Sequence, residues 1–301
     1  MLDRKLTDKI AAGSGFIAAL DQSGGSTPKA LEDYGIGRDA WTSEEEMFGL
    51  IHRMRSRIIT SPAFNGGKVL GAILFERTMD GAVDGKPTPQ VLLERGIVPF
   101  IKIDRGLEAE EEGVRKMKPM PELDALLVRA KSLGVFGTKE RSVINLANRD
   151  GIAAVVKQQF EIGQQVLVAG LVPILEPEVN INSPERAEAD RILLDEVLRH
   201  LDALPDDDKV MLKLSLPAEA GLFDSLVQHP RVLRVVALSG GFSRAEACAE
   251  LAKNRGIIAS FSRALLSDLR HQMSDEEFDA ALGKAIDEIH AASTTKAPVP
   301  A

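Results

Sequence analysis

Short runs rich in Val, Ile and Leu alternate with helix-period segments along almost the whole chain. Such an alternation predicts a parallel sheet whose strands are joined by crossover helices. Eight units in about 250 residues favour a closed (β/α)₈ barrel, the TIM barrel, over an open doubly wound sheet, and no GxGxxG motif follows the first strand. We therefore expect the α/β class and a single barrel domain. The predicted strands are 15–21, 69–75, 98–104, 136–144, 171–179, 209–216, 232–239 and 256–262.

The composition is that of a globular protein, with 44% apolar and 27% charged residues among 301. No Pro/Ser-rich linker interrupts the chain, so we expect one domain over residues 1–292 and a disordered tail over 293–301. The longest apolar run, Val166 to Leu175, has 10 residues, whereas a membrane span needs about 20. We expect no membrane association, and the N-terminal residues predict a surface helix rather than a signal peptide.

The net charge of the chain and the spacing of its histidines limit the partners and cofactors that we expect. The net charge of −8 argues against general nucleic-acid binding. The five histidines show no spacing such as HxxxH, so we expect a protein without metal or cofactor. The single cysteine, Cys248, cannot form an internal disulfide, which suits the reducing cytoplasm. The sequence does not determine the oligomeric state, and a homo-oligomer is one of the alternatives.

Charged residues stand where buried strands should be apolar. Barrel enzymes place their chemistry at the carboxyl ends of the strands, and buried charges persist when they are paired or used. We expect these residues to form a reactive site, although they could also merely neutralise one another. They are Asp21, Lys102, Asp104, Lys139, Arg141, Glu176, Glu178 and Lys213, with Arg263 just after the last strand.

The sixth predicted strand raises the sharpest question, because Lys213 stands within its apolar run. Burial and cationic neighbours lower the pKa of a lysine amine from its usual value of about 10.4. A free amine attacks carbonyl groups and forms a Schiff base. We expect Lys102 and Lys139 to be the cationic neighbours, and Glu176 and Glu178 to carry protons. These residues together predict iminium chemistry.

Three loops after predicted strands have the composition of anion sites. A Gly-rich turn that opens a helix offers backbone N–H groups to an anion, and barrels commonly hold phosphate on the loops after the seventh and eighth strands. Each glycine pair is also compatible with a plain turn. The candidate binding residues are Ser239, Gly240, Gly241, Ser262 and Arg263 on those two loops, and Ser23 and Ser26 after the first strand.

Seven motifs, in order, resemble those of class I fructose-1,6-bisphosphate aldolases in their shorter bacterial form. They are "ALDQSGGS", "PTPQVLLERGIVPFIKIDRG", "TKERSV", "VPILEPEV", "MLKLSLP", "LSGGFSR" and "SFSRAL". The resemblance covers the chain from about residue 10 to about residue 290. It implies a metal-free barrel lyase of glycolysis and gluconeogenesis. Such an enzyme reversibly cleaves fructose 1,6-bisphosphate to dihydroxyacetone phosphate and glyceraldehyde 3-phosphate through a lysine Schiff base.

The resemblance also implies roles for the charged residues. Lys213 matches the Schiff-base lysine, and Glu176 matches the general acid/base of carbinolamine dehydration. Glu178 would orient Lys213 by a hydrogen bond. Asp21 matches the acid that contacts the C4 hydroxyl and assists C–C cleavage, with Lys139 stabilising charge beside it.

On the binding side, the resemblance assigns Lys102 and Arg141 to the substrate hydroxyls and the C6 phosphate. Two departures from the family pattern concern the phosphate sites: Ser262 replaces a glycine, and Ala30 replaces a frequent basic residue. A third concerns the tail, which lacks the tyrosine of long-tailed members because the one tyrosine of the chain is Tyr34. The implied residues of the C1-phosphate site are Ser239, Gly240, Ser262 and Arg263.

Two other readings compete with this one. A transaldolase, or an aldolase for a different ketose phosphate, would share the Schiff base but would not need basic groups at both ends of the pocket. A non-catalytic phosphosugar-binding or scaffold protein would be expected to lack at least one of Lys213, Glu176 and Asp21, and all three are present.

Overall fold

Eight parallel strands, paired in chain order, form the centre of the computed structural model, which describes residues 3–297. The first and last strands meet where the Ala19 N–H donates to the Phe261 carbonyl at 3.1 Å, so the sheet curls into a nearly closed barrel. The (β/α)₈ barrel and its eight strands are thereby confirmed. The strands are β1 (Phe16–Leu20), β2 (Val69–Leu74), β3 (Val98–Lys102), β4 (Gly137–Ile144), β5 (Val172–Val179), β6 (Val210–Ser215), β7 (Val232–Leu238) and β8 (Ile258–Ala259).

Helices alternate with the barrel strands and cover their outer faces. Side chains on the outward positions of the strands join the helices in one large apolar core. The helices are α1 (Arg4–Ala12), α2 (Ser26–Asp33), α3 (Glu44–Thr60), α4 (Glu76–Met79), α5 (Thr88–Glu94), α6 (Leu123–Ser132), α7 (Arg149–Val168), α8 (Arg186–Asp202), α9 (Asp224–Gln228), α10 (Arg244–Ala252), α11 (Arg263–Leu266) and α12 (Asp275–Thr294), with a 3₁₀ turn at Arg38–Ala40.

Additional short strands decorate the loops. Val114–Arg115 pairs antiparallel with the carboxyl end of β4, and Ala82–Val83 pairs with Lys86–Pro87 in a small hairpin. Helix α3 begins after Ser43, whose side chain accepts a hydrogen bond from the backbone N–H of Glu46.

Helix α1 closes the amino end of the barrel. Its Ile10 is fully buried against inward-facing side chains such as Ile17 and Val236, so α1 is more than the surface helix that its sequence predicts. The guanidinium of Arg234, on β7, donates to the carbonyls of Ile10 and Gly13 at the end of this helix. The amino end of the barrel interior is therefore sealed, and access to the interior is from the carboxyl end.

The C-terminal helix extends beyond the predicted domain boundary. Ser293 and Thr294 belong to α12, and the Lys296 ammonium donates to three backbone carbonyls, those of Leu251, Ile257 and Ala292. The predicted disordered tail therefore does not begin at residue 293, and residues 298–301 lie outside the described residues. Within residues 3–297, no helix is long and apolar enough to cross a membrane.

Candidate active site

The charged side chains of the barrel interior stand one inward-facing position beyond its apolar core. On β5, Ile174 belongs to the inner apolar cluster and Glu176 follows two residues later. On β6, Met211 belongs to that cluster and Lys213 follows two residues later. Ile174 pairs with Met211 across the two strands, and the same register places Glu176 beside Lys213. Strand alternation and register therefore bring this acid and this base together.

Four of these side chains form one buried ion network. The Lys139 ammonium lies 2.6 Å from Asp21 Oδ2 and 2.9 Å from Glu176 Oε2. The Lys213 ammonium lies 3.0 Å from Glu176 Oε1. None of the four residues is more than 9% exposed. Two ammonium groups thus alternate with two carboxylates, so the network is close to neutral.

Pairing outweighs burial for the charges of this network. Burial alone would raise the pKa of Asp21, but the ammonium groups of Lys139 and Lys213 hold it well below its usual value. For Glu176, the same two lysines outweigh burial and lower the pKa. Burial would lower the pKa of Lys139, yet the carboxylates of Asp21 and Glu176 raise it. Asp21 and Glu176 are therefore ionised at neutral pH, and Lys139 is protonated.

Two further ion pairs flank the network. Lys102 Nζ lies 2.6 Å from Asp104 Oδ1, so these two residues form a salt bridge. Burial lowers the pKa of Lys102, and the positive charge of Lys139 acts in the same direction against the opposing effect of Asp104. Arg141 Nε lies 2.5 Å from Glu178 Oε2, and this carboxylate raises the pKa of the guanidinium against the effect of burial.

The expected contact between Glu178 and Lys213 is wrong for this structure. Lys213 pairs with Glu176, and Glu178 pairs with Arg141. The physical reason is the register, which places Glu176 beside Lys213. Glu178 lies two residues farther along β5, roughly 6.6 Å beyond Glu176 in the strand direction.

A cavity of about 1060 Å³ opens above the network at the carboxyl end of the barrel. It is lined by every predicted site residue except Gly241, which follows Gly240 in the turn after β7. Gly240 and Gly241 have φ values of 61° and 119°, and a Cβ at position 241 would lie 3.8 Å from Arg263 Nη2. The Gly-rich turn and the arginine of the last loop therefore approach each other. The predicted residues on the cavity wall are Asp21, Ser23, Ser26, Lys102, Lys139, Arg141, Glu176, Glu178, Lys213, Ser239, Gly240, Ser262 and Arg263.

Sequence reasoning missed a polar group behind the network. Glu140 faces outward from β4 and is fully buried, and burial raises its pKa well above the usual value. The side-chain amide of Gln159, on α7, donates to the Glu140 carbonyl and the Ser142 hydroxyl and accepts from the Glu176 N–H. A glutamine on the buried face of α7 was the available signal, but its partners lie on two strands that only the fold brings together.

Sequence reasoning also missed Arg55 and Gln22. Arg55 lies on α3 and is fully buried, and its guanidinium donates to the carbonyl of Gln22 at 2.5 Å. Gln22 lines the cavity directly after Asp21, and its side chain contacts Ser262 on the last loop. Helical spacing was the available signal, because Arg55 lies four residues after Ile51 and four before Ile59 on the buried face of α3, whereas its exposed neighbour Arg53 does not.

Comparison with known proteins agrees with the arrangement of the strands. Residues 2–217 match the family model described as fructose-bisphosphate aldolase class-I. Among solved structures, the fold is similar to that of fructose-bisphosphate aldolase from Plasmodium falciparum, solved in complex with TRAP and a small-molecule inhibitor. The identity is 21%, the TM-score is 0.72, and the match covers 99% of this chain and 98% of that chain.

A second and more distant structural match is a sugar phosphate isomerase/epimerase from Parabacteroides distasonis. Its identity is 14% and its TM-score is 0.45, and the match covers 95% of this chain and 97% of that chain. The family match spans well over half of the 301 residues. The chain therefore belongs to the class I fructose-bisphosphate aldolase family, a family of aldolase-type lyases.

Proposed function

We propose that this protein reversibly cleaves fructose 1,6-bisphosphate to dihydroxyacetone phosphate and glyceraldehyde 3-phosphate through a Schiff base on Lys213. One observation carries the proposal: the buried Lys213 amine lies 3.0 Å from Glu176, at the base of a cavity that the anion-site loops also line. The reaction serves glycolysis and gluconeogenesis in the cytoplasm.

The substrate lies across the cavity with a phosphate at each end. Ser239, Gly240 and Arg263 bind the C1 phosphate through backbone N–H groups and the guanidinium. Ser23 and Ser26 bind the C6 phosphate on the loop after β1, together with Lys102 and Arg141. Because Lys102 and Arg141 are paired with Asp104 and Glu178, these two cations also keep their carboxylates from repelling the phosphate.

Schiff-base formation begins with a proton transfer from Lys213 to Glu176. The free amine attacks the C2 carbonyl and gives a carbinolamine. Glu176 then returns its proton to the carbinolamine hydroxyl, which leaves as water, and the nitrogen lone pair completes the iminium. Glu176 is suited to both transfers because its carboxylate lies between Lys213 and Lys139.

Cleavage uses the other carboxylate of the network. Asp21 accepts the C4 hydroxyl proton, the C3–C4 bond breaks, and its electron pair moves through C2 to the iminium nitrogen. Glyceraldehyde 3-phosphate leaves, and an enamine stays on Lys213. Lys139 stabilises the negative charge beside Asp21 at 2.6 Å. The Lys139 ammonium contacts both carboxylates, so it passes one proton to Glu176 and takes up the proton of Asp21. Glu176 then protonates C3 in place of a tail tyrosine, and hydrolysis of the iminium releases dihydroxyacetone phosphate. The iminium is the electron sink, so the proposed reaction needs no metal.

The proposal is tested by trapping the iminium. Sodium borohydride added with dihydroxyacetone phosphate should reduce it to a stable secondary amine and inactivate the enzyme in proportion to the adduct formed. Mass spectrometry should find the adduct on Lys213, in the tryptic peptide "VMLKLSLPAEAGLFDSLVQHPR". Trypsin does not cleave after a modified lysine, so this peptide should appear only in the trapped protein.

Matched controls make the trapping experiment decisive. Borohydride alone should leave activity intact, and Lys213→Met should remove both turnover and trapping while the fold persists. Lys157→Met, at an exposed lysine of α7, should behave as the wild type. An adduct on Lys102 or Lys139, or trapping that survives in Lys213→Met, would place the nucleophile on another strand. A wild-type protein that is trapped but does not cleave fructose 1,6-bisphosphate would point to a different ketose phosphate.

A further inference from the structure

Arg55 is a buried cation that the proposed reaction does not use. It is 0% exposed and forms no salt bridge with any carboxylate in residues 3–297. Burial lowers the pKa of Arg55 to about 10, against the opposing charge of Asp21, so the guanidinium is still charged at neutral pH. A buried charge without a carboxylate partner is costly and needs a reason to persist.

The partners of Arg55 lie on two loops at the carboxyl end of the barrel. Nη1 donates to the Thr78 hydroxyl at 2.8 Å, on α4 after β2. Nη2 donates to the Gln22 carbonyl at 2.5 Å and to the side-chain oxygen of Gln22 at 3.2 Å, on the loop after β1. One guanidinium therefore binds both the backbone carbonyl and the side-chain amide of Gln22.

The donor character of Arg55 determines how the Gln22 amide points. A guanidinium can only donate, so it faces the amide oxygen of Gln22 and leaves the NH₂ group to point the other way. This NH₂ group donates to the Ser262 hydroxyl oxygen at 2.6 Å. Because the Ser262 oxygen accepts from Gln22, its own O–H proton is directed elsewhere.

The Ser262 hydroxyl can donate its proton in a hydrogen bond to a ligand in the cavity. Ser262 precedes helix α11 at the N-cap position, yet its side chain makes no capping hydrogen bond there. Both Gln22 and Ser262 line the cavity, beside Arg263. A phosphate oxygen bound by Arg263 accepts hydrogen bonds and cannot donate when it is ionised.

We propose that Arg55 and Gln22 are positioning residues that orient the Ser262 hydroxyl as a donor to the C1 phosphate of the substrate. The direction of donation runs from Arg55 through the Gln22 amide to Ser262 and ends at the phosphate. The inference rests on the proposed function, since it names residues that set specificity for the phosphorylated end of the same substrate. It also accounts for a serine at the position where the family pattern has glycine.

The test compares a phosphorylated and an unphosphorylated ketone in the borohydride experiment. The measured quantity is the ratio of the trapping efficiency of dihydroxyacetone phosphate to that of dihydroxyacetone, because only the first carries the group that Ser262 contacts. Gln22→Met keeps the side-chain volume but removes the amide, and Ser262→Ala removes the hydroxyl. Each variant should lower the ratio about tenfold, as expected for one hydrogen bond to a charged group.

The double variant separates a relay from two independent contacts. If Gln22 acts through Ser262, Gln22→Met should change the ratio by no more than about twofold in the Ser262→Ala background. Gln22→Glu should lower the ratio more than Gln22→Met does, because a carboxylate would accept the Ser262 proton and turn the hydroxyl lone pairs toward the phosphate. Thermal melting of each variant should report a folded protein.

Three results would overturn the relay. They are a wild-type ratio in Gln22→Met, a wild-type ratio in Ser262→Ala, and losses that multiply in the double variant. A general disturbance of the site would lower trapping of both ketones and leave the ratio unchanged, which also contradicts the proposal. Failure of the proposed function is a separate outcome, in which the wild-type protein traps neither ketone.

Discussion

The barrel interior has a lower half at the amino ends of the strands and an upper half at their carboxyl ends. The two halves differ in the side chains that stand two residues apart on the same strand. In the lower half, Phe100, Ile174 and Met211 pack together with no exposed surface. In the upper half, Lys213 and Glu176 occupy the next inward positions of their strands and contact each other at 3.0 Å. The backbone geometry is the same in both halves, so the side chains alone make the difference.

The comparison shows how a single sheet separates stability from chemistry. Apolar side chains of the lower half gain free energy from burial, and helix α1 keeps water out beneath them. The charged side chains of the upper half lose hydration, and only their attraction to one another offsets this cost. Rigid strands hold both groups, so the ion network is positioned by the packing below it.

After the loss of the nucleophile Lys213 itself, the largest expected effect in the upper half is the loss of Lys139. Lys139→Met leaves Asp21 and Glu176 facing each other without the ammonium that joins them, so we expect their pKa values to rise and proton transfer to fail. The kcat for fructose 1,6-bisphosphate should fall about 10²–10⁴-fold, the usual contribution of a positioned acid/base. Steady-state kinetics beside thermal melting measures this.

The same experiment can break the comparison between the halves. The protein should stay folded, because the Met side chain retains an apolar stem and the carboxylates reach the water of the cavity. If Lys139→Met unfolded at ordinary temperature, the upper half would carry stability as well as chemistry. If kcat fell less than tenfold, the network would be a structural ion pair.

A smaller effect is expected at the rim of the upper half. Arg263→Ala removes a charge-assisted contact to phosphate worth roughly 1.5 to 3 kcal/mol. We expect the KM for fructose 1,6-bisphosphate to rise about ten- to hundredfold, with kcat changed far less. An unchanged KM would mean that the phosphate site after β8 is misplaced. Arg255→Ala, at an exposed arginine before β8, is the matched control.

Strand identity and the charged positions of the barrel interior were predictable because both are local features of the sequence. A charge such as Lys213 within an apolar run is visible to inspection, and two-residue alternation places Lys139 and Arg141 on one face. The register between strands is not local, so the sequence offered no check on the contact between Glu178 and Lys213 that the family resemblance implied, and the structure pairs Lys213 with Glu176 instead. The contact between Gln22 and Ser262 spans 240 positions and follows only from closure of the barrel.

Mutation of the lower half should produce the opposite result to mutation of the upper half. Met211→Ala leaves a cavity in the inner apolar core, where Met211 is 0% exposed, and should lower the free energy of unfolding by about 2–5 kcal/mol. We expect kcat/KM at 25 °C to stay near the wild-type value as long as the protein is folded. Val168→Ala, at an exposed residue of α7, should change stability by about 0.5 kcal/mol or less.

Urea denaturation and kinetics on the same samples decide this prediction. A Met211→Ala protein that unfolds at the same urea concentration as the wild type but loses catalysis would show that the lower half affects the reaction directly. The division between the two halves would then be wrong.

The smallest expected effect on activity comes from the outer face of the same strands. Glu140 is buried as deeply as Glu176, but it faces α7 rather than the cavity. Within residues 3–297, the one hydrogen bond of its carboxyl group comes from the Thr138 hydroxyl. Burial raises the pKa of Glu140 well above its usual value, whereas the lysines lower that of Glu176. The pKa values of two buried carboxyl groups on neighbouring strands are thus shifted in opposite directions, according to whether a cation lies beside them.

The pH dependence of stability tests this contrast. In the native state Glu140 keeps its proton above the pH at which the unfolded chain loses it, so the native state binds more protons there and its stability falls as the pH rises from about 4.5. Glu140→Gln cannot ionise and removes that loss. Urea denaturation at a series of pH values should show a variant that equals the wild type below about pH 4.5 and becomes more stable than it as the pH rises above that value, with kcat unchanged. Parallel curves for the two proteins would mean that Glu140 is ionised in the native state and that burial without a cationic partner does not decide its protonation.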